Sequence, residues 1–106
     1  MSVEVDLAEL AGKAAEYRFA YLVTVGDDLR AKPVGVLPEI EGVEVTLPSL
    51  GSGTRANLAA RPDVVMVFPP AAPGGFSLFV DGRAEVDGED ARLTATHAVL
   101  HRPADR

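Results

Sequence analysis

The sequence contains no cysteine and no tryptophan. Without cysteine there are no disulfides, no thiolate nucleophile and no sulfur-ligated zinc or iron, so any redox chemistry must come from a bound cofactor. Lysine is nearly absent, at Lys13 and Lys32 alone. Ten basic residues face 16 acidic ones, a formal charge of −6 whose field repels nucleic acid and anionic membrane surfaces. Only a local basic spot can hold an anion. No apolar run approaches the roughly 18 residues needed to span a bilayer. The opening Met1-Ser2-Val3-Glu4-Val5-Asp6 is acidic where a secretory leader is basic and then apolar. These absences predict a cytoplasmic chain with neither a nucleic-acid nor a membrane partner.

What is present is ordinary globular material. At 47% hydrophobic and 25% charged, the chain is far from the composition of a disordered one, and 106 residues suit a single domain over 1–106. Asp6 with Glu9 three residues on is a capping-box-like start, and Leu7, Leu10, Ala11 and Ala14 follow on one helical face. A helix is predicted over about 6–16. The period then changes to strands. Phe19 to Val25 is β-branched and aromatic and closes at Gly26-Asp27-Asp28. Lys32 to Leu37 follows, bounded by Pro38, and Val43 to Leu47 is opened by a turn at Glu39-Ile40-Glu41-Gly42.

A loop of small residues, Pro48 to Thr54, leads into a short helix at Arg55–Arg61 stopped by Pro62. Val64–Phe68 and Phe76–Val80 are apolar on both faces, which calls for a core on one side and a helix or partner chain on the other. Asp81-Gly82 reads as a two-residue hairpin turn into Arg83–Asp87. Leu93 to His101 is readable as strand or helical turn. The sum is a mostly β chain of about six strands and two short helices, in a closed or half-closed barrel that dimerises and so removes exposed edges.

The order of these segments resembles the pyridoxamine 5′-phosphate oxidase-like, FMN-binding split-barrel family over roughly residues 18–88. The resemblance rests on strand Ala20–Val25, an acidic turn, strand Lys32–Leu37, the run Thr46-Leu47-Pro48-Ser49 through Ser52-Gly53-Thr54-Arg55-Ala56-Asn57-Leu58, and Arg61-Pro62-Asp63-Val64. It implies a six-stranded split β-barrel with two short helices, homodimeric, holding FMN, or the deazaflavin F420, at the dimer interface as an oxidoreductase. A non-catalytic carrier on the same scaffold, with no cofactor, is the alternative. Carried over from the family, Ser52, Thr54 and Arg55 match the phosphate-binding stretch, Lys32 and Val34 flank the cofactor, and Ser49 lines its ring or ribityl chain. Many members place two basic residues directly after the serine; here Gly53 and Thr54 precede the single Arg55. The long C-terminal segment by which the vitamin B6 oxidase engages its substrate has no counterpart before Arg106.

The residues also stand on their own chemistry. Gly51 and Gly53 free backbone amides, Ser52 and Thr54 add hydroxyls, and a helix start with one guanidinium completes an anion site; the bland alternative is a helix cap with a solvated Arg55. Lys32 either neutralises a ligand's charge or protects a strand edge. Asn57 either bonds a ligand or holds the barrel. His97 and His101, four apart, would share a helical face, but with no cysteine and no clear third ligand they predict no metal site. Asp27-Asp28 and Glu89-Asp90 read as solvated turns, Tyr17 and Tyr21 as barrel or interface packing. No residue reads as a general acid or base, and none is assigned as catalytic.

Overall fold

The computed structural model describes residues 1–104. In chain order it places β1 (Ser2–Glu4), a 3-10 turn (Leu7–Glu9), α1 (Leu10–Ala14), β2 (Ala20–Val25), β3 (Ala31–Val36), β4 (Glu39–Glu41), β5 (Glu44–Leu47), α2 (Ser52–Ala60), β6 (Asp63–Phe68), β7 (Ser77–Asp87) and β8 (Asp90–His101). Seven strands form one antiparallel path, β3-β2-β6-β7-β8-β5-β4, and β1 adds to β8. The two edges of that path, β3 and β4, are separated in the chain by Leu37 and Pro38 alone. A linker of two residues spans at most about 7–10 Å, so the sheet must curl until its edges meet. The result is a half-barrel, mostly β with two short helices.

Alternation decides what fills it. Ala20, Leu22 and Thr24 of β2, Met66 and Phe68 of β6, Leu78 and Val80 of β7, and Ala91 and Leu93 of β8 all point inward and are buried, with Val45 and Leu47 of β5. Leu10 and Ala14 of α1 and Leu58 of α2 close the ends. Asp6 caps the first turn by accepting from the Ala8 amide at 3.0 Å, but the helical segment there splits into a 3-10 turn and five α residues.

The spine is the β7–β8 hairpin, and it corrects the strand count. Asp81-Gly82 is no turn; it lies inside one eleven-residue strand, and the chain reverses at Gly88-Glu89, where Gly88 has φ +63°. Gly82 is there for space: a Cβ on it would sit 2.6 Å from Leu93 Cδ2 and 2.8 Å from the Thr94 carbonyl oxygen. Opposite it the register slips, because Asp81 pairs with His97 while Gly82 pairs with Ala95, leaving Thr96 as a β-bulge. The bulge moves the inward phase of β8 from 91, 93 and 95 to 98, which hid the strand from a period-2 reading. β4 was hidden differently: the half-buried Ile40 is flanked by two glutamates that a turn would also use. Six expected strands thus become a seven-strand path with β1 beside it.

β8 is also where the sheet forks. On the edge away from β7 it pairs β5 through Asp90's neighbours Ala91 to Thr94, and β1 through Val99 to His101. His97 holds β1 down: its Nε2 lies 3.1 Å from Glu4 Oε1 and its Nδ1 3.5 Å from Asp81 Oδ2. The hydrogen bond to Glu4 lifts the imidazole above its usual value; desolvation, next in size, opposes it, and the bond to Asp81 adds to the rise. A raised folded-state value means the stabilisation is complete at pH below the ordinary histidine value and is lost as pH rises through the folded one. In Glu4→Gln the His97 titration, followed by its ring proton shifts, should fall back toward about 6.5. Gly82→Ala should cost about 1–3 kcal/mol in urea unfolding, since the clash includes a backbone atom that cannot rotate away.

Candidate functional site

α2 packs against β2 and β7, and most of its anchors lie in its second half and at its C-cap. Leu58 is buried, Asn57 Nδ2 donates to Thr24 Oγ1 at 3.1 Å, and Arg61 reaches Asp27 Oδ1 at 3.0 Å. Thr24 is fully buried, and Asn57 is its hydrogen-bond partner. Ser52 and Gly53 at its start are exposed. Gly51 is the N-cap and supplies no side-chain cap, and the first helical bond is made by the Arg55 amide to the Gly51 carbonyl at 3.0 Å. The amides of Ser52, Gly53 and Thr54 precede that bond and point outward with the positive end of the helix dipole.

Facing that end is the turn between β2 and β3. Gly26, Asp27, Asp28 and Lys32 form a cleft of about 430 Å³ with Gly53, Thr54 and Asn57. Lys32 is the cation of the cleft, and its Nζ bonds Asp28 Oδ2 at 3.0 Å with both side chains about half exposed. That bond, then the Arg30 amide, holds the Asp28 carboxyl below its ordinary range. An exposed pair of this kind contributes about 0–1 kcal/mol, so Lys32 can exchange partners at little cost.

Farther along β3 lies a second, more apolar cleft of about 520 Å³, between Phe19, Gly35, Val36 and Leu37 on one side and Pro48, Ser49 and Leu50 on the other. From Lys32 to Gly35 is about 10 Å of strand. Ser49 sits at φ +56°, an uncommon conformation for a residue with a side chain, and its amide donates to Asp90 Oδ1 at 2.9 Å. That contact fixes the loop between β5 and α2 against the β7–β8 turn.

Of the seven residues expected to hold a cofactor, Lys32, Thr54 and Asn57 share the polar cleft and Ser49 lines the apolar one. Val34 instead packs against the core opposite Leu22, and Ser52 stands exposed in the first turn of α2. Arg55 turns away. Its Nη1 donates to the Gly88 carbonyl at 3.3 Å and its Nε is buried without a partner. Sequence reasoning missed Thr24, which positions Asn57, because a threonine in a β-rich run carries no mark of function. Asp27 and Asp28 are solvent-exposed, as the sequence reading has them, and both also line the cleft. His97 and His101 lie on strand β8 and face different partners, His101 stacking on Phe79 at 5.3 Å.

The Thr24–Asn57 bond ties the helix to the barrel beneath the polar cleft. Thr24→Val removes the acceptor while keeping the shape, and should lower stability by about 1–2 kcal/mol. The denaturant midpoint reads this directly.

No protein-family model matches the chain. The uncharacterized protein Mb0449c of Mycobacterium bovis is 38% identical over 117 aligned positions, covering 95% of this chain and 82% of the relative, and an uncharacterized Mycobacterium tuberculosis protein matches equally. Among solved structures, a FAD-binding protein from Mesorhizobium loti superposes with a TM-score of 0.72 at 14% identity, over 94% of this chain and 96% of that one. A provisionally named pyridoxamine 5′-phosphate oxidase from Listeria innocua gives 0.66 at 12% identity, over 86% and 92%. An F420 reductase gives 0.64 at 14%, over 88% and 94%. The chain therefore belongs to the family of the mycobacterial proteins and has the split-barrel fold of the pyridoxamine 5′-phosphate oxidase-like proteins.

Proposed function

We propose that this protein binds a phosphate-bearing flavin-type cofactor, FMN in the first place, along β3, and works as an oxidoreductase. The observation that carries this reading is the pairing of two clefts on one strand. One end offers the free amides at the start of α2, the Thr54 hydroxyl and the Lys32 ammonium; the other offers Val36, Leu37 and Pro48. A ligand with an anionic end and a flat apolar end fits that polarity. Asp27 and Asp28 oppose the anion in part, but the exposed Lys32–Asp28 pair exchanges readily. When bound, a flavin supplies hydride and single-electron chemistry. The chain's part is to bind and orient: Thr54 and the α2 amides take the phosphate, Asn57 keeps α2 in place, and Leu37 and Pro48 keep water from the ring end.

The reading includes a homodimer. On the outer face of the sheet the register lines up Gly35, Tyr21, Val67, Phe79 and Val99 across five strands, with Pro33, Val23 and Val65 in the row beside them. Tyr21 is 42% exposed, and Phe19 stands edge-on against it at 5.0 Å. This face carries apolar side chains where a solvated sheet carries polar ones, and it adjoins the apolar cleft through Phe19, so a second copy would both cover it and wall the cleft. A second reading, a split-barrel carrier without catalysis, is favoured by Arg55, whose guanidinium serves the Gly88 carbonyl and leaves Lys32 as the cleft's cation.

Fluorescence titration of purified protein with FMN, FAD and F420 tests the proposal. The expected result is saturable micromolar binding of FMN, weakened about tenfold in Lys32→Ala and in Thr54→Val, with a dimer mass in sedimentation. Binding of F420 alone changes the cofactor, binding of none leaves the carrier reading, and a monomer overturns the shared cleft.

A further inference from the structure

On the other side of Phe19 and Leu37 lies a separate cavity of about 270 Å³ that neither cleft along β3 accounts for. Its floor is α1 and its C-cap, with the methyl groups of Ala11, Ala14 and Ala15, and its walls include Tyr17, Phe19, Leu37 and Phe68. Tyr17 meets Phe68 edge-on at 5.8 Å and 61°, and both rings line the space. The tyrosine hydroxyl is committed, donating to the Phe76 carbonyl at 2.9 Å, so it adds no free donor. Among the lining residues the one charged group is Arg18.

Four of the nine described lysines and arginines are held in ion pairs, and Arg18 is not one of them. Lys13 pairs with Glu16, Lys32 with Asp28, Arg61 with Asp27 and Arg83 with Asp63. Arg18 has no carboxylate within ion-pair distance among the described residues, although acidic groups outnumber basic ones by 16 to 10. In a chain of that composition a guanidinium at the rim of a cavity walled by aromatic rings, and without an ion-pair partner, is complementary to an external anion. Its five donors in a planar fork match a carboxylate in two-point contact.

We infer that this cavity is a binding site for a small aromatic carboxylate, with the ring between the α1 alanines and Tyr17, Phe19 and Phe68, and the carboxylate on Arg18. The cavity's size sets the scale of the ligand at one ring and a short arm. The inference does not depend on a cofactor in the clefts along β3.

The test is an amide-proton NMR titration of the whole protein with trans-cinnamate and, separately, with its neutral amide. Cinnamate should produce saturable shifts at residues 11–19 and 37–40 with a millimolar or tighter Kd, and the amide should bind about tenfold or more weakly. Arg18→Gln should reduce cinnamate binding to the level of the amide, while Arg92→Gln, an exposed arginine elsewhere on the sheet, should leave it unchanged. Ala15→Phe, at an exposed position on α1, should block the cavity without touching the core. Equal binding of acid and amide, unchanged affinity in Arg18→Gln, shifts confined to residues around Lys32 and Asn57, or no saturable shift up to about 10 mM would each overturn the assignment.

Discussion

The close approach of β7 and β8 at Gly82 governs the rest of the molecule. With Leu93 Cδ2 and the Thr94 carbonyl where a Cβ would go, only glycine lets the two strands cross at that point. The bulge at Thr96 follows from it, and a bulge raises local twist and bends the strand that carries it. Bent there, β8 serves β5 with its first half and β1 with its last. The sheet that results is curled enough for β3 and β4 to be joined through two residues. A flat hairpin would leave those edges far apart and exposed.

Curling also decides where α2 can go. The helix packs against β2 and β7, and its hold on the barrel includes Asn57, Leu58 and Arg61. Nothing comparable grips Ser52 or Gly53. The uncapped first turn is therefore held in position by its own far end, with amides free to meet a ligand and a backbone already ordered. Preorganisation of this kind means that an anion bound there would not have to order the loop as well. The strained Ser49, tied to Asp90 across the loop, serves the same end from the other side.

How legible was this in the residues? Alternation revealed the strands that keep one phase: Ala20–Val25, Val43–Leu47 and Val64–Phe68 fall within a residue or two of their observed bounds. It failed where a local device changes the phase or where side chains are ambiguous. Asp81-Gly82 has the chemistry of a hairpin turn, and only the proximity of Leu93, distant in sequence, explains why glycine is needed in mid-strand. Helix α2 starts three residues before the expected Arg55 because glycine and serine argue for loop until a barrel packs against the turn. The site was half visible. Lys32, Thr54, Asn57 and Ser49, picked out by their types and order, line the two clefts, whereas the direction of Arg55 depends on the Gly88 carbonyl, which no local pattern reveals.

Charge supplies the last step. In a protein carrying net −6 an acidic neighbour lowers the energy of the nearest guanidinium or ammonium, and four of the nine described lysines and arginines are so paired. The pairs seen here are on the surface, where each contributes little to stability. Their effect is instead one of selection: pairing removes Lys13, Arg61 and Arg83 as candidate ligand groups and leaves a short list of cations with a reason to meet something else. Lys32 is on it by virtue of an exchangeable partner, and Arg18 by having none. Lys32 lines the polar cleft and Arg18 the cavity beside α1, and Phe19 and Leu37 line both that cavity and the apolar cleft along β3, so the same apolar side chains border the spaces these two cations would serve.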